Sequence, residues 1–162
     1  MNRINILAQI NFFYKNIFGN NININSFTDR IKLQKLVYIL KTENIDFGYD
    51  FTWYIRGPYS SDLAHDAFSL LKTTDHTSKY TETNHDRIVL ERLTRVRHII
   101  NDSNNAELVA SYLFLQPYYN NNTASELVTR KPRFNEAQIH QVMDDWYRAT
   151  NSQLPNQQAS LC

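Results

Sequence analysis

The densest cluster of chemically useful side chains is Ser60, Ser61, Asp62, His65 and Asp66, all within seven residues. Two hydroxyls, an imidazole and two carboxylates are the parts of a nucleophilic hydrolase, in which histidine takes the serine proton and a carboxylate orients the ring. On a helix Asp62, His65 and Asp66 share one face, so a hydrolase built on Ser60 or Ser61 and His65 is one reading. The other is a capped helix with a solvated polar face. Residues this close along one helix seldom place the base between nucleophile and carboxylate, and no glycine-framed nucleophile turn is present, which favours the second.

Other chemistries find less support. The five histidines, His65, His76, His85, His98 and His140, stand far apart, and none forms the i, i+4 pair that aims two imidazoles at one metal. No metal and no cofactor is therefore expected. Asp144 and Asp145 are adjacent, and neighbours on a helix point to different sides, so they do not share a proton. Phosphate-cradling and dinucleotide loops need several glycines, whereas this chain has Gly19, Gly48 and Gly57 only.

Binding chemistry is better represented. Arg87, Arg92, Arg95 and Arg97 with His98 lie on one helical segment, and Arg130, Lys131 and Arg133 stand beside Phe134. Arginines interleaved with aromatics suit phosphate and base contacts, so Arg92, Arg95, Arg97, Arg130, Lys131 and Arg133 are the candidate nucleic-acid-binding residues. The same charge also suits a solvated helix face or a partner-docking surface.

The elements that must position these groups follow from periodicity. Ile6, Ile10, Phe13 and Ile17 draw a stripe over Arg3 to Phe18, a helix ending near Gly19. Ser26 or Thr28 caps a second helix, in which Leu33, Leu36, Val37 and Leu40 face the core and Ile31, Tyr38 and Ile39 widen the apolar face. Phe51 to Ile55 is a β-branched and aromatic strand bounded by Gly48 and stopped at Gly57-Pro58. Tyr59 to Leu71 is the next helix, with Leu63, Ala67, Leu70 and Leu71 inward, and Lys79, Tyr80 and Thr81 form a second strand that pairs with the first in a ribbon. Val89, Leu93, Val96 and Ile100 trace one helical stripe. Ala106 to Leu115 forms a buried apolar helix, Ala124 to Arg130 a short one, and Ile139, Val142, Met143 and Trp146 mark the last.

With 162 residues, 42% of them hydrophobic, the chain has the size and composition to pack one core without disulfides. Residues 1–149 read as a single globular domain and 150–162 as a flexible polar tail. The fold class is mainly α (α+β): a compact helical domain of about six or seven helices with a small two-stranded β-hairpin, for which a winged-helix-like arrangement is one form. Cys162 is the only cysteine, no signal-peptide pattern opens the chain and no stretch reaches a membrane span, so a cytoplasmic location and no membrane contact are expected. The net charge of +1 offers no global attraction for a polyanion, and nucleic acid would need a local patch.

One stretch carries a resemblance. Arg30-Ile31-Lys32-Leu33-Gln34-Lys35-Leu36-Val37-Tyr38-Ile39-Leu40, the aromatic strand, then Arg56-Gly57-Pro58-Tyr59-Ser60 and Asp62-Leu63 resemble the YwgA-like proteins. More distantly they resemble the Panacea domain and the toxin-neutralising C-terminal domain of DarG antitoxins. Glu107-Leu108-Val109-Ala110-Ser111 and Lys131-Pro132 before Phe134 are similar to the YwgA-like pattern too, so the likeness spans most of Arg30 to Trp146. It implies a compact helical domain with a small hairpin and no known catalytic centre, of a kind often encoded in mobile or toxin–antitoxin contexts, without fixing the partner; the expected function is protein binding of an antitoxin-like or immunity-like kind, with a protein partner such as a toxin.

On this reading Gln34, Lys35, Arg56 and Tyr59 are the candidate partner-binding residues. Physics gives the same residues an architectural role. Gln34 and Lys35 fall away from the main apolar stripe, where they can satisfy backbone groups of the following turn or contact a partner. Tyr59 can pack its ring, and Arg56 can pair with Asp62 across the turn.

Overall fold

The structure, a computed structural model, describes residues 2–71 and 80–150. Among these residues there are seven α-helices of eight residues or longer, one single-turn helix and one two-stranded antiparallel sheet. In chain order they are α1 (Arg3–Phe18), α2 (Phe27–Thr42), β1 (Thr52–Tyr54), β2 (Gly57–Tyr59) and α3 (Ser61–Leu71). Then come α4 (Asn84–Thr94), the single turn α5 (Arg97–Ile100), α6 (Ser103–Tyr119), a 3-10 turn at Asn120–Asn122, α7 (Thr123–Arg130) and α8 (Glu136–Ala149). The expected mainly α fold with a small hairpin is what forms.

The helices begin where side chains can accept orphan backbone N–H groups. Asn2, Ser26, Asp102 and Asn135 cap α1, α2, α6 and α8, and Thr83 with Asp86 makes a reciprocal capping box on α4. Helix α1 ends at Gly19, left-handed at φ 85°, whose N–H bonds the Lys15 carbonyl. Helix α6 is the axle of the fold. It packs against α2, α5, α7, α8 and β2, which is why Ala106, Leu108, Val109 and Ala110 are apolar around its girth and wholly buried. Helix α1 closes the core against α2, α3 and α4 with Ile10, Phe13 and Ile17.

Four expectations need correction. The strand over Phe51 to Ile55 pairs with Gly57–Tyr59, register Thr52↔Tyr59, Trp53↔Pro58 and Tyr54↔Gly57; Tyr80 and Thr81 are not strand, and Lys79 lies outside the described residues. Proline does not stop the sheet, because in a two-stranded ribbon only alternate residues must offer an N–H to the partner strand. Helix α3 accordingly starts at Ser61, with Tyr59 in the sheet; Leu63 and Ala67 are buried, and the side chains of Leu70 and Leu71 lie outside the described ones. The stripe Val89, Leu93, Val96, Ile100 is buried, but its helix breaks after Thr94, whose hydroxyl bonds the Leu90 carbonyl at 2.7 Å while the next N–H groups take i−3 partners. Thr150, assigned to the tail, is buried and its hydroxyl bonds the Trp146 carbonyl at 2.8 Å; the rest of that segment lies outside the described residues.

The ribbon bears on the winged-helix expectation. A wing stands out from the helices, whereas here Gly57 and Pro58 are buried between α2 and α6, and the exposed residues of the ribbon are Thr52 and the tip, Tyr54 to Arg56.

Candidate functional site

The hairpin is held by polar side chains reaching it from three elements. From α2, the Gln34 amide donates to the Ser60 carbonyl and accepts from the Ser60 N–H, both at 2.9 Å, as a neighbouring strand would. Lys35, one residue on, donates to the Pro58 carbonyl at 2.7 Å. From the residue after α7, Lys131 donates to the Ile55 carbonyl at 2.5 Å. From α6, Glu107 and Ser111, one turn apart, lie under Gly57, whose φ of 85° and lack of a Cβ let the ribbon press onto the helix. Trp53 is flanked by Phe114 and by the Arg130 and Lys131 cations, each 5.2 Å from its ring centre.

This clasp sets the electrostatics. Lys35 is 1% exposed with a single carbonyl acceptor, and burial, reinforced by repulsion from Lys131 and Arg56, pushes its ammonium down to about 7. Burial and then Arg56 also lower Lys131. Buried Glu107 supplies the opposite charge: it is ion-paired with Arg133, and the Arg56 guanidinium approaches its other oxygen at 3.9 Å. The expected Arg56–Asp62 pair does not form, because the tip directs Arg56 toward α6.

Beside the clasp opens a groove of about 420 Å³ between the first half of α2, the hairpin tip and α3. Its floor is aliphatic: Ile24, Ile31 and Leu33 on the α2 side, Ala64 and Ala67 on α3. Its rim is aromatic and exposed, with Phe27 at 56%, Tyr54 at 56%, Phe68 at 43% and the tip residue Ile55 at 73%. Among the described residues seven large hydrophobic side chains are exposed, and four of them surround this one groove. The charged residues lining it are Arg30, Lys35 and Arg56, and no acid does.

The candidate partner-binding residues are brought together at this place, in unequal roles. Arg56 and Tyr59 contribute to the lining, Tyr59 stacking on Tyr54 with ring centres 5.2 Å apart. Gln34 and Lys35 are buried with their polar ends committed to backbone, so the architectural role accounts for those ends and leaves their stems as groove wall. Phe27, Arg30, Ile55 and Phe68 were not anticipated. Their signal was available: Phe27 stands off the Leu33, Leu36, Val37, Leu40 stripe and Ile55 sits at a turn tip, apolar where periodicity asks for polar.

The hydrolase cluster is not assembled. Ser60 is buried, its hydroxyl accepting the Leu63 N–H at 3.2 Å as a helix cap, while Ser61, Asp62 and His65 are exposed and no side-chain hydrogen bond among the described residues joins Ser61 to His65. Asp66 is buried under α1, accepting from the Tyr49 hydroxyl at 2.8 Å and from Arg3 at 3.2 Å. The arginine patches are largely engaged within the chain. Arg92 pairs with Glu43, Arg95 with Glu91, Arg130 with Glu126, Arg133 with Glu107, and Lys131 is buried on the hairpin; Arg97 is exposed. Among the described residues no group of three or more His, Cys, Asp or Glu is placed to hold a metal, and no helix is long and apolar enough to cross a membrane. No protein-family model, curated protein or solved structure matches the chain.

Proposed function

We propose that this chain is a non-catalytic docking module that binds a protein partner by taking an apolar segment of it into the groove between α2, the hairpin tip and α3. The observation that carries the reading is the gathering of Phe27, Tyr54, Ile55 and Phe68 around one cavity. Exposed apolar patches with polar rims are where soluble domains meet partners, and aromatic anchors with arginine are the side chains that dominate such contacts. The resemblance to YwgA-like and antitoxin domains supports a narrower form of the same proposal, in which the captured protein is a toxin held inactive. The engagement of most of the arginine patch within the chain makes it a poorer phosphate-binding surface than the sequence suggests.

The test is affinity capture from the native host with wild-type protein and with Ile55→Glu, each with and without nuclease. Ile55 is at a turn tip and 73% exposed, so a glutamate there should leave the melting temperature close to wild type while placing a charge on the apolar mouth. The expected result is a partner that survives nuclease, is retained by wild type and is lost in Ile55→Glu. A partner retained equally by both proteins, or released by nuclease, refutes the proposal.

A further inference from the structure

The groove also specifies the charge of what enters it. We infer that the docked segment carries a carboxylate next to its apolar side chains, held by Arg30 and Arg56 beside the Phe27 ring. This rests on the docking reading and adds the chemistry of the occupant to it.

The arrangement is unusual for a surface that serves only the fold. The Arg30 guanidinium lies 5.7 Å and the Arg56 guanidinium 5.5 Å from the centre of the same exposed ring, and Arg30 is also 5.9 Å from Phe68. Two like charges beside one aromatic ring repel, and no acid lines the groove to offset them. Among the described residues neither guanidinium has its donors filled. A guanidinium offers five donors, and among the described residues Arg30 makes one bond, from Nη1 to the Ile24 carbonyl at 2.8 Å. Among the described residues Arg56 makes no hydrogen bond; its approach to Glu107 is 3.9 Å, and that carboxylate already has Arg133.

A guanidinium laid against a ring keeps its edge hydrogens for a planar anion, and a carboxylate matches that fork with two parallel bonds. The apolar rim dictates the rest of the occupant, because a simple anion leaves Phe27, Tyr54, Ile55 and Phe68 uncovered. About 420 Å³ suits inserted side chains rather than a whole helix. Nucleic acid fits poorly: it needs several phosphate-binding cations along a track, and two at an aliphatic pocket are too few.

The probe is a phage-displayed library of random linear peptides panned on the full chain, with Ile55→Glu used to discard binders that bypass the groove. Groove-dependent peptides should be enriched in Asp or Glu flanked by apolar residues. Changing that acid to its amide in the best peptide should weaken binding roughly tenfold, Arg56→Gln should do the same, and the two changes together should cost little more than either alone. Arg56→Lys should recover only part, since it restores charge without the fork. Melting temperatures close to wild type for the Arg56 variants keep the comparison free of folding loss.

Groove-dependent peptides without acid enrichment, or an amide peptide that binds as well as the acid, overturn the carboxylate and leave the docking reading standing. A library that returns no groove-dependent binder overturns both. A single-stranded oligonucleotide whose binding is lost in Arg30→Gln/Arg56→Gln, or self-association in light scattering abolished by Ile55→Glu, replaces the acidic segment by another occupant.

Discussion

Gly57→Ala tests the clasp on which the groove depends, and its cost separates into two parts. A Cβ at position 57 would stand 2.3 Å from the Ser111 hydroxyl oxygen and 3.5 Å from the Ser111 Cβ, on a backbone with φ 85°. The left-handed backbone costs a non-glycine residue about 1–2 kcal/mol. Displacing the hydroxyl or lifting the ribbon off α6 adds about 1–3 kcal/mol of overpacking. The single variant should therefore lose about 2–5 kcal/mol, with the melting temperature falling about 2–4 °C per kcal/mol. Removing the hydroxyl separates the parts. With Ser111→Ala the contacts that remain, Ser111 Cβ at 3.5 Å and Glu107 Cγ at 3.8 Å, are ordinary van der Waals distances, so Gly57→Ala in that background should cost about 1–2 kcal/mol. Ser111→Ala alone should be nearly neutral, because its buried hydroxyl has no hydrogen-bond partner among the described residues. Urea midpoints for the four proteins, compared at a common m value, give the coupling directly. An equal loss in both backgrounds, or a Gly57→Ala protein within about 0.5 kcal/mol of wild type, would refute the close approach of ribbon and helix.

Two titrations should also leave a mark. The Lys35 ammonium is lowered from 10.5 to about 7 by burial and then by Lys131 and Arg56, so between these values the unfolded chain holds the proton that the folded chain releases. Stability should thus rise with pH across that window, by at most about 1.4 kcal/mol per pH unit, and Lys35→Met should flatten the rise of the urea midpoint; an unchanged slope sinks the assignment. Burial opposes the charge on Asp86, yet bonds from the Thr83 N–H, the Tyr80 hydroxyl and the Gln9 amide outweigh it and hold the carboxyl below its ordinary value. A lowered carboxylate stabilises above its unfolded pKa and ceases to as pH falls through the folded one. Asp86→Asn should therefore cost about 1–3 kcal/mol near neutrality, with the gap to wild type closing in acid; a gap that persists there contradicts the reasoning.

Local chemistry made the helices legible. The Ile6, Ile10, Phe13, Ile17 stripe, the Ser26 cap and the Leu33, Leu36, Val37, Leu40 face each depend on contacts within a few residues, and each forms as its spacing implies. Misreadings occurred where a longer contact won. Gly57-Pro58 looks like a stop signal in isolation, but α6 beneath it and Lys35 beside it make it the second strand. Arg56 has an acid six residues ahead, yet pairs toward Glu107, fifty-one residues away.

The amino-acid order by itself determined a mainly helical chain, most of the boundaries of its helices and the short aromatic strand, and it singled out the Gln34–Lys35 and Gly57–Pro58–Tyr59 stretches. Only the tertiary structure decided what those stretches do. Whether Gln34 meets Ser60, whether Lys131 reaches a carbonyl 76 residues earlier, and whether Phe27, Ile55 and Phe68 surround one cavity are matters of how helices pack. Periodicity and capping are written in neighbouring residues. The pairing of a buried polar group with a distant carbonyl is set by desolvation, which acts only once the core has closed around it.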